Sequence, residues 1–257
     1  MLAEDVEDEE EIIAGFSGLG DLRVWSDGEA RSAAMNMAVD ELLLQWLERS
    51  QPDAATPILR FYDWAQPSVS IGYFQCWRDT VDPAEEGELD WVRRWTGGGR
   101  VDHRVDLTYT LVVPREHPFS LISPRANYRW VHNCVVKALE AVGEKAALTH
   151  AGEAFAPRRG ASPNCFDSPV PFDVVNEQGG KLAGAAQRRT RQGLLHQGSV
   201  MEEGIGAQRQ NWQTVLAGVF SGERGSAMDW EPPAACLAEA EILGWEKYAS
   251  EDWLRKY

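Results

Sequence analysis

Strand-like segments in this chain come in groups, and helical segments do not alternate regularly with them. Ile58 to Trp64 and Ser68 to Phe74 read as two strands joined by the turn Ala65-Gln66-Pro67, and Trp91 to Trp95 follows as a third. In a fourth, Leu107 to Val113, the residues Leu107, Tyr109 and Leu111 alternate with Thr108 and Thr110, which gives one apolar and one polar face. Asp173 to Asn176 and Lys181 to Ala185 flank Glu177-Gln178-Gly179-Gly180, a hairpin-type turn, and Leu194 to Met201 is a further strand. Glu29 to Leu47 is an amphipathic helix with Met35, Ala38, Val39, Leu42 and Trp46 at helical spacing. Tyr128 to Val142 is a second, with Val131, Val135, Leu139 and Val142 in phase. From Asn211 onward the pattern is mainly helical, broken near Pro232-Pro233. A doubly wound fold needs regular alternation, so grouping of this kind points to an α+β protein with a mixed β-sheet flanked by helices.

Charge narrows the function classes. The net charge of −15 argues against nucleic-acid binding, which needs a basic footprint. Seven acidic residues crowd into Glu4 to Glu11, so residues 1–12 are expected to be an acidic disordered tail and 13–257 a single domain with a helical C-terminal segment. That acidic start is the opposite of a secretion signal, and no apolar run approaches the roughly 18 to 20 residues of a membrane span. A cytoplasmic protein without a membrane partner is expected. The four cysteines, Cys76, Cys134, Cys165 and Cys236, are widely spaced with no CxxC pair or His/Cys cluster, so no metal site is expected.

Three segments carry chemistry. The first is Arg93-Arg94-Trp95-Thr96-Gly97-Gly98-Gly99-Arg100-Val101-Asp102-His103. Three glycines after a strand let the backbone approach a ligand closely, and flanking arginines add fixed positive charge. The second runs from Gly179-Gly180-Lys181 through Gly184-Ala185 to Arg189, with His196-Gln197-Gly198-Ser199 on the next strand. A lysine leaving a glycine turn, on a strand of small residues, suits an ammonium reaching into a narrow slot, or a solvated hairpin lysine. The third is Asn164-Cys165-Phe166-Asp167-Ser168-Pro169, close enough in sequence that its thiol could meet the Lys181 ammonium. A neighbouring cation favours thiolate and makes a nucleophile for acyl transfer.

Together with Met35 to Glu41, Leu59 to Trp64, Ser70-Ile71-Gly72-Tyr73-Phe74-Gln75 and Leu107-Thr108-Tyr109-Thr110, these segments resemble the biotin/lipoate protein-ligase superfamily, in the same order over about residues 22 to 205. The resemblance implies a class II synthetase-like catalytic domain. The run Cys165 to Pro169 with Phe172-Asp173-Val174-Val175 resembles the nucleophile segment of the cysteine-dependent octanoyltransferases. Asp102 departs from the pattern, standing where an apolar residue is more usual.

That branch implies that Cys165 takes octanoate from an acyl carrier protein as a thioester and passes it to a lysine of a lipoyl-domain protein. The acceptor would be a glycine cleavage H protein or a 2-oxoacid dehydrogenase E2. Lys181 is expected to stabilise the thiolate. Arg93, Thr96, Gly97, Gly98, Gly99, His103, Gly72, Tyr73, Gly184, Ala185, His196 and Gly198 are expected to contact substrate. No cofactor is required on this route. The alternatives are an ATP- and Mg-dependent lipoate ligase in which Cys165 is incidental, an amidotransferase between lipoyl domains, and a non-catalytic binder of lipoyl domains. Because the carrier is acidic, Arg93, Arg94, Arg100, Arg104, Lys181, Arg188, Arg189 and Arg191 are expected to form a basic mouth on the acidic body, unless they are simply a solvated face.

Overall fold

A computed structural model of the chain describes residues 15–49, 55–150, 170–203 and 205–257. The strands of the large sheet are β1 (Leu22–Ser26), β2 (Ile58–Tyr62), β6 (Asp106–Pro114), β7 (Ala147–Leu148), β8 (Val174–Val175), β9 (Lys181–Thr190), β10 (Gly193–Met201) and β11 (Ala227–Asp229). They lie in the order β11-β1-β2-β6-β10-β9-β8-β7. β1 runs parallel to both neighbours, and the remaining pairs are antiparallel. β3 (Ser68–Ile71), β4 (Asp90–Arg93) and β5 (Val101–Asp102) form a separate small sheet in the order β4-β3-β5.

The turn at Ala65-Gln66-Pro67 therefore joins two sheets, not two strands of one. β3 ends at Ile71, not at Phe74, because the chain turns at Gly72. β1 and β11 were not expected. Both are short, and β11 is exposed along its whole length, so neither carries an apolar alternation.

The helices are α1 (Ala33–Arg49), α2 (Pro124–Ala141), α3 (Arg209–Ser221) and α4 (Ala234–Leu243), with a last helical turn at Glu251–Leu254. α1 starts four residues later than its apolar spacing suggests, because Arg31 still bridges to Trp64 in extended form. The Asp90 carboxylate then accepts from the Ala33 N–H at 2.9 Å, satisfying a first-turn donor. α2 starts four residues earlier than expected, where Ser123 Oγ caps Ala126 N and Pro124 fits the first position.

Alternation along the strands sorts the core. Leu107, Tyr109, Leu111 and Val113 of β6 pack with Leu59 and Phe61 against α2 and α3. Ile58, Tyr62, Val112 and Leu195 face α1 and α4 on the other side. The polar positions of β6 and β10, Thr108, Thr110, Gln197 and Ser199, share that second side and are also buried. Burial of so many hydroxyl and amide groups requires internal partners, and these partners build the site. No described helix is long and apolar enough to cross a membrane.

Candidate active site

A narrow pocket lies on the polar side of β6 and β10, with walls from the small sheet and β9. Met37, Tyr62, Trp64, Val101, Ala185 and Ala186 supply its apolar surface. Ser70, Arg94, His103, Thr108, Lys181, Gln197 and Ser199 supply the polar groups. An apolar chamber with a few placed polar groups is the usual form of a small-ligand site.

Lys181 begins β9 just after the Asn176 to Gly180 turn. The turn is tied by Asn176 Oδ1, which accepts from Gln178 N and Gly180 N at 3.1 and 2.8 Å. Its ammonium lies 2.8 Å from Asp173 Oδ2 and its side chain is only 6% exposed. The same carboxylate accepts from Tyr128 OH at 2.6 Å and from Val170 N at 2.7 Å. Burial and the Asp173 charge hold the Tyr128 phenol well above its ordinary range, so it stays a donor. The lysine stem runs directly over Gly184, where an added Cβ would sit 2.5 Å from Lys181 Cε. Glycine at that position leaves the space through which the ammonium reaches the cavity.

The glycine loop is held by the two arginines before it, and they do different work. Arg94 donates to the carbonyls of Ser70, Gly97 and Gly99 at 2.8–2.9 Å and to Ser70 Oγ at 2.6 Å. Arg93 does not line the cavity. It is fully buried, and its guanidinium donates to the carbonyls of Gly72, Tyr73, Gln75, Trp253 and Leu254. Gly72 packs so tightly on Gly98 that a Cβ there would lie 1.9 Å from the Gly98 carbonyl oxygen. Arg93, expected at the substrate, is a clamp behind the loop.

His103 faces the cavity between two partners. Its Nε2 lies 2.6 Å from Ser70 Oγ and its Nδ1 lies 2.8 Å from Asp106 Oδ2. Trp64 stacks flat on the imidazole at 4.0 Å, fixed by its indole N–H to Thr108 Oγ1 at 2.8 Å. Asp106 also accepts from Ser199 Oγ. Beneath the cavity floor, fully buried Asp40 accepts from Arg60 Nη1, Thr110 Oγ1 and Gln197 Nε2 at 2.7–2.8 Å. Gln197 in turn accepts from Thr96 Oγ1 at 2.6 Å, so the glycine loop is tethered to the core through one amide.

Of the expected site residues, Lys181, Gly98, His103, Gly184, Ala185 and Gly198 line the cavity together. Thr96, Gly97 and Gly99 shape the loop. Gly72 supports it from behind. Tyr73 turns away into a cluster with Trp253 and Tyr257, where Lys256 Nζ donates to its oxygen at 2.6 Å. His196 points to the opposite side of β10 from Gln197, near Tyr109, Tyr128 and His132, because successive residues of a strand alternate faces. Burial drives the His196 imidazole well below its ordinary range, so it is neutral. His132 is likewise pushed down to about 4 by burial, and its Nδ1 bonds the Phe172 carbonyl at 2.6 Å. Cys165, with all of 151–169, and the acidic tail at 1–12 lie outside the described residues.

Among the described residues most of the expected basic mouth is turned to internal or neighbouring partners, while Arg104, Arg189 and Arg191 remain exposed. Arg93 and Arg94 are buried in carbonyl cages, Arg100 pairs with Glu85, Arg104 with Asp102 and Lys181 with Asp173. Arg189 donates to Ser120 O, Ile122 O and Asn127 Oδ1, and Arg188 to Trp95 O. Arg93, Arg94, Arg100, Arg188 and Lys181 are thereby directed to partners within the fold. Ser70, Asp40, Asp106, Asp173 and Tyr128 are site residues that sequence reasoning did not find. Asp106 carried one usable signal, its position three residues after His103 at the start of a polar strand face.

A family model described as the lipoyl protein ligase A/B catalytic domain matches residues 32–216. The octanoyltransferase LipM of Oceanobacillus iheyensis is 37% identical over 172 residues, covering 66% of this chain and 60% of that protein. The LipM of Kyrpidia tusciae is 38% identical over 174 residues, covering 66% and 62%. The chain thus spans about three-fifths of the length of these relatives. Among solved structures, a bi-partite lipoate protein ligase from Thermoplasma acidophilum, studied with its E2 lipoyl domain, superposes with a TM-score of 0.69 at 21% identity, covering 92% of this chain and 96% of that one. A lipoate-protein ligase A bound with ATP gives 0.68 at 22%, covering 92% and 98%. These two likenesses concern the fold.

Proposed function

The chain belongs to the lipoyl protein ligase A/B catalytic-domain family, and on that premise we propose that it is an octanoyltransferase of protein lipoylation. It takes octanoate from an acyl carrier protein onto Cys165 as a thioester and passes it to a lysine of a lipoyl-domain protein, such as a glycine cleavage H protein or a 2-oxoacid dehydrogenase E2. The observation that carries this is Lys181, laid across Gly184 into an apolar cavity and paired with Asp173. The 37–38% identity to LipM octanoyltransferases supports the choice of acyl group and branch.

Lys181 supplies the fixed positive charge that favours a thiolate over a thiol and steadies the departing sulfur in the second half-reaction. The apolar cavity wall accepts the acyl tail at about 0.8 kcal/mol per buried methylene, which selects chain length only coarsely. A thioester keeps the acyl group activated, so this route uses no ATP.

The test is to incubate the protein with octanoyl–acyl carrier protein without ATP and to look by intact mass for a hydroxylamine-sensitive octanoyl adduct that Cys165→Ala abolishes. Labelling of a lipoyl domain only with ATP and free acid would establish the ligase instead. An adduct formed from an octanoylated lipoyl domain, and not from the carrier, would make the protein an amidotransferase.

A further inference from the structure

Amide formation at neutral pH poses a proton problem. A free lysine has an ordinary pKa near 10.4, so at pH 7 only roughly one in a few thousand is uncharged and able to attack a thioester. Some group at the site must take the proton.

Four described lining side chains titrate: Tyr62, Arg94, His103 and Lys181. Burial and the Asp40 charge push the Tyr62 phenol well above its ordinary range, and its hydrogen is given to Asp40 at 3.2 Å. Arg94 is permanently cationic, and Lys181 is paired with Asp173 at 2.8 Å. His103 alone among the four sets one ring nitrogen against a hydroxyl and the other against a carboxylate, the arrangement of a proton acceptor.

Its surroundings set the polarity of uptake. Ser70 Oγ accepts from Arg94 Nη1 at 2.6 Å, so the serine's own hydrogen is free to point at His103 Nε2, also 2.6 Å away. The proton on Nδ1 then points at Asp106 Oδ2, 2.8 Å away. The order Ser O–H to imidazole to carboxylate leaves one lone pair on Ser70 Oγ for an incoming donor. The groups facing the ring are Ser70 from β3, Arg94 after β4, Asp106 at the start of β6, Ser199 on β10 beside Asp106, and the stacked Trp64. Of these, Asp106 accepts at Nδ1 and the stacked Trp64 fixes the plane of the ring.

We propose that Ser70, His103 and Asp106 form the proton relay of the amide-forming half-reaction, an assignment that rests on the thioester route above. As the acceptor ammonium reaches the cavity, one N–H bond breaks and its proton passes to Ser70 Oγ. The serine proton moves to His103 Nε2, and Asp106 holds the imidazolium as a positioning residue. The freed lone pair attacks the thioester carbonyl carbon and forms the C–N bond. Collapse of the tetrahedral intermediate breaks the C–S bond, and the electron pair leaves on sulfur. The second N–H proton goes to that sulfur, and His103 then returns its proton to solvent through Ser70. Ammonium plus thioester gives amide, thiol and one proton.

The test uses octanoylated full-length enzyme, prepared from octanoyl–acyl carrier protein and isolated, in single-turnover reactions with a lipoyl domain and, separately, with hydroxylamine. Hydroxylamine is uncharged at neutral pH and needs no base. For His103→Gln the ratio of the lysine rate to the hydroxylamine rate should fall about 100-fold, the lower range for loss of a general base. Residual lysine transfer should rise about tenfold per pH unit, following the free amine. Asp106→Asn should lower the same ratio to a lesser degree. Equal losses with both nucleophiles would mean that His103 only supports the site, and would overturn the relay, as would an unchanged ratio. Wild-type protein that forms no adduct would overturn both the thioester route and the relay.

Discussion

At the scale of single residues, the site depends on what is absent as much as on what is present. The missing side chain at Gly184 is the channel for Lys181, so Gly184→Ala should push the ammonium aside. A misplacement of about 1 Å costs on the order of 100-fold in rate. We expect transfer to fall by that order while the urea midpoint hardly moves, since the atom displaced is the end of a flexible chain. His132 gives a second expectation, for stability. Its folded imidazole titrates at about 4 against 6.5 for the free side chain, so between these values the unfolded chain binds the proton first. Stability is therefore intact above about pH 6.5 and falls as pH drops towards 4, by on the order of 3 kcal/mol, with buried His196 acting in the same direction. Urea unfolding at stepwise pH should show the slope, reduced in His132→Gln. The residues legible in sequence were those with unusual neighbours, such as Lys181 beside paired glycines and His103 after a glycine triplet. Asp173 and Ser70 were not legible, because a lone carboxylate before a strand and a serine within one look alike whether they serve a site or not.

Elements are held to the site by backbone acceptors that no side-chain pattern announces. Arg93 joins β4, the Gly72 turn and the last helical turn by spending its donors on five carbonyls. Hydrogen bonds from a charged donor contribute about 1.5–3 kcal/mol each and do not add fully. Arg93→Lys keeps the charge and loses the fork, so it should cost at least about 3 kcal/mol in urea unfolding and also loosen the glycine loop. The expected α+β class, a mixed sheet flanked by helices, was legible because apolar spacing is strong in α1, α2 and β6. The division into two sheets was not, because a turn residue such as Pro67 specifies a change of direction and not a change of partner. The displaced starts of α1 and α2 follow from caps and bridges, which act at polar residues outside the apolar stripe.

For the molecule as a whole, charge now implies the reverse of the sequence expectation. With most of the cations around the site paired inside the fold, a chain of net charge −15, seven of whose acidic residues lie in Glu4 to Glu11, meets an acidic carrier as a like charge. Raising ionic strength from about 0.01 to 0.15 M shortens the screening length from about 30 to 8 Å and should lower the KM for octanoyl–acyl carrier protein. A rise in KM with salt would instead indicate steering by a local positive patch. The large sheet has a further consequence. Its two outermost strands, β11 and β7, are three and two residues long. A neighbouring copy seeking to extend the sheet meets too little bare backbone to nucleate on, so the folded protein should resist strand-by-strand aggregation. That protection depends on sequence-distant pairing. β1 gains its outer partner only when Ala227–Asp229 arrives some two hundred residues later, and a chain that has not yet closed this pair offers β1 itself as a template.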